Sequence, residues 1–407
     1  MSANSVAPQF DSAADQQIGV VGAGAMGAGI AQVAAVHGHP VVLADAQPAA
    51  LARARAGHAA AMTRDVEKKR RTRDEADAAL ARIRYVDGVS PEQLTAFTDC
   101  VLVIEAIVEQ LSVKQTLFRA LEDAVSPQTI LASNTSSLSI AAIGGACRHA
   151  GRVIGVHFFN PAPIMPLVEI ISAISTSPET AALAEQLVRT WGKTTVRAKD
   201  TPGFLVNRIA RPFYGESLRI LEEGMADTAT IDWALTTLGG FRMGPFALMD
   251  LIGNDVNFAV SCSVYENTFH DPRYRPSVTQ QRLVEAGWFG QKSGRGFYDY
   301  RANAVKPAPK EDGRIGGQIV ERVVAMLVNE AVAALEMQLA SAADIETAMT
   351  KGVNYPQGLL SWGDMLGAKH VLAQMEGLHH EYGDPRYRSS PRLRIVARQF
   401  AGKLLDV

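Results

Sequence analysis

From Ile18 to about Arg197, short apolar runs alternate with alanine-rich stretches of helical periodicity. The runs are Ile18 to Val21, Val41 to Ala44, Val101 to Ile104, Ile130 to Ala132 and Val153 to Val156. Each is apolar throughout, the texture of a strand covered on both faces. Strands of this kind alternating with helices predict a doubly wound parallel sheet over residues 18–200. The basic residues Lys68, Lys69, Arg70, Arg71 and Arg73 fall in what reads as one long helix between the second and third runs, with a solvated face as the simplest account of them.

At Thr201 the texture changes. Pro202 and Gly203 break the chain, and helical periodicity then dominates to Trp288, predicting an all-α domain over 201–300. Residues 301–317 hold two prolines, three glycines and several charges, the composition of a linker. Beyond it the helical segment recurs. Arg208 matches Arg322, Glu216 matches Glu330, Ile231 matches Ile345, Gly244 matches Gly358 and Gly253 matches Gly367, each 114 positions apart, and Asp271 to Arg275 recurs as Asp384 to Arg388 at a shift of 113. Residues 318–407 therefore read as a second copy of the helical domain.

Composition narrows the function classes. The chain has 407 residues, 47% of them hydrophobic and 20% charged, which suits a multi-domain globular enzyme. A net charge of −2 offers no attraction to nucleic acid. Cys100, Cys147 and Cys262 are too few and too scattered for a disulfide framework or a thiolate metal site, so a reducing compartment and no metal are expected. Residues 1–17 read as a loose polar tail lacking the basic start and apolar run of a secretory signal. Polar residues interrupt every hydrophobic run before it could span a bilayer, and a soluble cytoplasmic protein is expected.

Gly22-Ala23-Gly24-Ala25-Met26-Gly27 directly follows the first apolar run and opens a helical pattern. This is the Rossmann dinucleotide fingerprint: the first glycine permits a tight turn, the second lets backbone approach a pyrophosphate, and the third lets helix and strand pack closely. Asp45 ends the second run, eighteen residues past Gly27. A carboxylate there accepts from ribose hydroxyls and repels a 2′-phosphate, which selects NAD over NADP.

Four motifs follow: Ser133-Asn134-Thr135-Ser136-Ser137, His157-Phe158-Phe159-Asn160-Pro161, Pro166-Leu167-Val168-Glu169 and Thr201-Pro202-Gly203-Phe204-Leu205-Val206-Asn207-Arg208. With Glu105-Ala106 and Lys114, they resemble the 3-hydroxyacyl-CoA dehydrogenase family from about Ile18 to Tyr300 and on through the repeat. Oxidising a secondary alcohol needs a base for the hydroxyl proton, and histidine exchanges a proton near neutral pH, so His157 is the natural base. Glu169 could accept from its second ring nitrogen and fix the tautomer. The resemblance implies that Ser136, with Ser137 as fallback, and Asn207 hold the substrate oxygen. It also implies that Asn160 lies near the nicotinamide and thioester, and that Glu109 and Lys114 lie beside the cofactor ribose and nicotinamide. A helical salt bridge is the competing account of Glu109 and Lys114. Once coenzyme A is the handle, Lys68 and Lys69 gain a second reading as partners of its phosphates.

Ala210 to Tyr214 and Asp250 to Val260 look like the branch of the family acting on 3-hydroxyadipyl-CoA in phenylacetate catabolism, whose members also carry a second helical copy. Arg211, four residues after Asn207 and on the same helix face, could grip the distal carboxylate of an adipyl chain. The alternative is a short-chain 3-hydroxybutyryl-CoA enzyme of fatty acid or butanoate metabolism. In the second copy Glu321 stands at the position of Asn207, and no GxGxxG domain precedes it. It cannot form its own active site, so it is expected to pair internally with the first copy as partner chains do in single-copy relatives, leaving further homo-oligomerisation open. A binding or structural protein on the same fold, without turnover, is the competing class. The expected architecture is thus a Rossmann-type α/β domain followed by two tandem all-α domains.

Overall fold

The computed structural model describes residues 16–399 and 402–405, so the expected tail lies outside the described residues except for its end. The chain divides into two compact units, the first ending at Asp200 and the second beginning at Thr201. The first unit is one eight-stranded sheet in the order β3-β2-β1-β4-β5-β6-β7-β8. Its strands are β1 (Gln17–Val21), β2 (Val41–Asp45), β3 (Ile83–Asp87), β4 (Cys100–Glu105), β5 (Ile130–Ser133), β6 (Val153–Phe158), β7 (Leu167–Ser172) and β8 (Thr194–Lys199). Ile18, Val20, Leu43, Leu102, Ile104, Ile154, Val156 and Ile170 are fully or almost fully buried and join Ile30, Ala34, Leu187 and Trp191 of the covering helices in one core.

Five strands coincide with the apolar runs, and three do not. β3 and β8 are the two edge strands, with only one covered side, so Ile83-Arg84-Tyr85-Val86-Asp87 and Thr194-Thr195-Val196-Arg197-Ala198-Lys199 mix polar and apolar residues. β7 departs from the parallel pattern, pairing with β6 antiparallel, while β8 runs parallel to β7. Residues 159–166 between β6 and β7 are eight in number, too few for the crossover that a parallel return requires.

The basic stretch is not one long helix. The helix Pro48–Glu67 ends before Lys68, Lys69 takes a left-handed φ of 55°, and a new helix, Arg73–Ala81, starts at Thr72. Thr72 and Glu75 form a capping box, which gives the chain a stronger start than a continued helix would.

The second unit holds both helical copies, and they match element for element. The helices Val206–Ile209 and Arg211–Glu222 correspond to the end of Gly313–Glu336, Thr228–Trp233 to Ala342–Gly352, Pro245–Ile252 to Leu359–Leu366, and Asn254–Asn267 to Ala368–Tyr382. Pro212 lacks the N–H that would continue the first helix through Ala210, whereas Met326 at the same place leaves the second unbroken. Even the caps repeat: Phe246 N and Ala247 N donate to the Asp232 carboxylate, and Leu360 N and Ser361 N donate to that of Glu346, 114 residues on. The expected linker is shorter than its composition suggests. Asp312 accepts from Arg314 N and Ile315 N and starts the helix at Gly313. Gly316 is used there for close approach, since a β-carbon would come 2.8 Å from the Trp233 ring.

The two copies pack through buried ion pairs that are reciprocal. Arg208 Nε donates to Glu330 Oε1 at 3.2 Å, and its counterpart Arg322 Nε donates to Glu216 Oε1 at 2.6 Å. Glu330 also receives Arg273 and the Tyr274 hydroxyl, and Glu216 receives the Tyr387 hydroxyl, with Arg386 3.8 Å away. Each glutamate comes from one copy and each arginine of the main pair from the other, which is the pattern of a twofold interface written into one chain. Removing one partner of such a pair strands a buried charge, at a cost of about 3–5 kcal/mol. Glu330→Ala and Glu216→Ala should each lower stability by that amount in urea unfolding of the whole chain, and losses below about 1 kcal/mol would mean that the pairs do not hold the copies together.

Candidate active site

The turn after β1 is shaped for a dinucleotide. Gly22 sits at φ +106°, where a β-carbon would lie 2.5 Å from the Ala106 carbonyl oxygen, and one on Gly27 would lie 1.8 Å from the Gly22 oxygen. Gly24 differs, because nothing lies within 4 Å of the place its β-carbon would take. It is the N-cap of the helix Ala25–Val36, no side chain caps that helix, and Gly24 and Ala25 are exposed while Met26 is half-buried. Free N–H groups therefore face open space, as pyrophosphate binding requires. Asp45 closes the turn: Ala23 N donates to its Oδ2 at 2.6 Å and Gln47 N to its Oδ1 at 2.8 Å. A cavity of about 760 Å³ opens here at the ends of β1, β2 and β4, walled by Val113, Thr116 and Leu117. Its place is the switch point of the sheet, where the strand order reverses between β1 and β4.

Next to it, a buried network holds the serine loop. Lys114 is 1% exposed, its Nζ donating to Glu105 Oε1 at 2.5 Å and lying 3.2 Å from Glu109 Oε2. Glu105 also receives Ser133 Oγ and Ile107 N. Glu109 Oε1 receives Thr135 Oγ1 at 2.6 Å, Ser136 N at 3.0 Å and both Ser137 N and Ser137 Oγ, at 3.2 and 3.0 Å. The Ser136 hydroxyl is held only loosely by Glu109, at 3.4 Å, and so keeps more freedom than that of Ser137. Burial works against charge on Glu109, but Lys114 and these donors outweigh it and hold its carboxyl below the usual range. Lys114 is thus an interior cation and not part of a solvated helical salt bridge.

His157 and Glu169 sit opposite each other in the β6–β7 register, and His157 Nδ1 lies 2.7 Å from Glu169 Oε2. Both are buried, at 6% and 0% exposure, and the histidine is one residue from the end of β6, on the side of the sheet where ligands bind. Two residues absent from the sequence-derived set support this strand end. Phe158 N donates to Asn134 Oδ1 at 2.8 Å, and Lys193 Nζ donates to the Ala162 and Met165 carbonyls at 2.6 and 2.8 Å, fastening the loop on which exposed Asn160 lies. Asn134 could have been found, since it lies inside the Ser-Asn-Thr-Ser-Ser motif. Lys193 has no sequence signal.

In the helical unit Asn207 is half-exposed, and Arg211, one turn on, is buried with its Nε donating to the Asn207 carbonyl at 2.8 Å. Lys68 and Lys69 are exposed at their turn and, among the described residues, make no ion pair, whereas Arg70 and Arg71 reach Asp65 at 3.6 Å.

A nucleotide cradle at the switch point and a buried His–Glu pair at a strand end define an NAD-dependent dehydrogenase of the Rossmann type. Comparison with known proteins narrows the class. Residues 17–201 match the family model for the 3-hydroxyacyl-CoA dehydrogenase NAD binding domain, and residues 203–300 and 317–402 match that for the 3-hydroxyacyl-CoA dehydrogenase C-terminal domain. A 3-hydroxyadipyl-CoA dehydrogenase of Escherichia coli is 39% identical over 93% of this chain and 97% of its own length. A 3-hydroxybutyryl-CoA dehydrogenase of Bradyrhizobium diazoefficiens is 40% identical over 72% of this chain and 98% of its own. A crystal structure of 3-hydroxybutyryl-CoA dehydrogenase from Escherichia coli superposes with a TM-score of 0.88 at 38% identity, covering 94% of this chain and 98% of that one. The chain belongs to the 3-hydroxyacyl-CoA dehydrogenase family.

Gly24 offers a clean test of the cradle. Its φ of −66° suits any residue and the space beside it is empty, so Gly24→Ala should leave thermal stability unchanged or slightly raised. The new methyl would stand where the pyrophosphate must approach, and KM for NAD should rise about tenfold or more. An unchanged KM would place the cofactor elsewhere.

Proposed function

We propose that this enzyme oxidises (S)-3-hydroxyadipyl-CoA to 3-oxoadipyl-CoA, with Ser136, His157, Glu169 and Asn207 carrying the chemistry. The observation that carries the reading is the 2.7 Å contact between His157 Nδ1 and Glu169 Oε2 in a buried setting. With Nδ1–H donated to the carboxylate, Nε2 is the ring nitrogen that takes the proton of the C3 hydroxyl. Glu169 then faces an imidazolium, whose charge it stabilises. NAD, when bound, accepts the hydride from C3. Ser136 and Asn207 donate to the substrate oxygen and fix it for proton removal. Glu109 and Lys114 act on the cofactor side through the loop they hold, and Asn160 lies toward the nicotinamide. The exposed Lys68 and Lys69 are assigned to the phosphates of coenzyme A. A cytoplasmic setting accords with three free cysteines.

The adipyl assignment is supported by the relative of that name, which matches across nearly its whole length, both helical copies included. A second reading, 3-hydroxybutyryl-CoA, has its own support, since a solved structure bearing that name also covers 94% of the chain. NADH-linked turnover of the two thioesters side by side decides between them: a higher kcat/KM for 3-hydroxyadipyl-CoA is expected, a higher value for 3-hydroxybutyryl-CoA would assign short-chain metabolism, and no turnover of either would leave a binding protein. His157→Gln should lower kcat by about 10²–10⁴-fold with little change in KM, as loss of a general base does.

A further inference from the structure

Four residues beyond Asn207 the second unit holds a buried cation that has no anion among the described residues. Arg211 is 6% exposed, its Nε donates to the Asn207 carbonyl at 2.8 Å, its Nη1 donates to the Ser261 hydroxyl at 3.1 Å, and its guanidinium carbon lies 4.9 Å from the centre of the Tyr214 ring. Among the described residues no carboxylate pairs with it. Neutral acceptors return only part of what a guanidinium loses on leaving water, and a buried charge without a counter-ion is costly to keep. Burial accordingly lowers the Arg211 pKa.

A second unmet group lies within electrostatic reach of the same guanidinium. Tyr355, from the other helical copy, is 5% exposed, and its hydroxyl has no hydrogen-bond partner among the described residues. Its ring packs 5.7 Å from that of Phe213 and 5.0 Å from that of Phe241. An unsatisfied hydroxyl near a cation that has only neutral acceptors is a donor pair that, among the described residues, lacks an anion.

The duplication supplies an internal control. At the positions 114 residues from Arg211, Tyr214, Ser261 and Tyr355 stand Ala325, Val328, Met375 and Phe241, all apolar and all buried. The same packing problem is thus solved without polar atoms on the other side of the pseudo-twofold, so packing does not call for the arginine or the tyrosine hydroxyl.

We infer that Arg211 and Tyr355, with Ser261 beside them, form a carboxylate subsite for the distal end of a dicarboxylyl acyl chain, so that the second helical copy takes part in choosing the substrate. This rests on the dehydrogenase reading above, in which Asn207 holds the C3 oxygen. The spacing agrees: Arg211 Nε lies 2.8 Å from the Asn207 carbonyl, so the guanidinium is close to the residue that holds C3, and the three bonds from C3 to C6 of an adipyl chain span roughly 4 Å. The guanidinium fork takes the carboxylate through its remaining N–H groups, and the Tyr355 hydroxyl donates to one of its oxygens.

The test is Tyr355→Phe, which removes one oxygen and keeps the ring. Since that hydroxyl has no partner, its loss should not lower Tm. The ratio of kcat/KM for 3-hydroxyadipyl-CoA to that for 3-hydroxybutyryl-CoA should fall about tenfold, chiefly through KM for the adipyl thioester. Calorimetric binding of adipyl-CoA and hexanoyl-CoA, chains of equal length with and without the carboxylate, to the wild type and Y355F should show the same loss for adipyl-CoA. Arg211→Met should deepen it. An unchanged ratio and unchanged adipyl-CoA binding in Y355F, or an equal loss for both chains, overturns the subsite. A wild type that turns over neither hydroxy thioester fails the dehydrogenase reading instead, and the calorimetric comparison then still decides the subsite.

Discussion

The antiparallel pairing of β7 with β6 is the constraint on which the buried His157–Glu169 pair rests. His157 and Glu169 are twelve residues apart in the chain and directly opposite in the ladder. A slip of one residue would turn one side chain to the other face of the sheet and separate the pair. That register is defended by buried apolar neighbours on the same strands, Val156, Phe158, Val168 and Ile170, which would lose their places in any other alignment. Asn134 and Lys193 add polar fastenings at the strand end and in the connecting loop.

A second layer of order comes from interior charge. Lys114, enclosed by Glu105 and Glu109, has little freedom to leave, because a charge separated from its partners in that interior would be unpaired. The cost of burying Lys114 and Glu105 is offset by their pairing, and Glu109 at the edge of the network spreads further hydrogen bonds over Thr135, Ser136 and Ser137, as Glu105 does over Ser133 and Ile107. The consequence is a serine loop fixed by electrostatics beside the cofactor cradle, with the Ser136 hydroxyl its least restrained donor. Preorganisation of this kind is what polar catalysis requires.

The helical unit uses charge differently. Its reciprocal Arg–Glu pairs join two copies that match in sequence but not in surface: Glu321 stands at the position of Asn207, and Ala325 at that of Arg211. Fusion frees the second copy from repeating the first. Positions that an exchange-symmetric dimer would have to keep identical on both sides can differ here, and the cluster around Arg211 and Tyr355 is one place where they do.

The sequence by itself determined the cofactor cradle, five of the six interior strands and the duplication, because each rests on local physics. A glycine fingerprint reports backbone geometry over six residues, a buried parallel strand must be apolar throughout, and a repeat is read by subtraction. It also marked His157 and Glu169 as partners by type and by motif. Tertiary structure decided what depends on residues distant along the chain. Edge strands β3 and β8 carry mixed patterns because only one side is covered, and the direction of β7 follows from a loop too short to cross the sheet. The break at Lys68 came from competition between a helix end and the Thr72 capping box, which periodicity does not weigh. Lys114 reads as a surface residue until Glu105, nine residues earlier, is seen beneath it. Only the folded chain, moreover, brings Tyr355 within reach of Arg211, since burial and pairing are properties of neighbours and not of residue types.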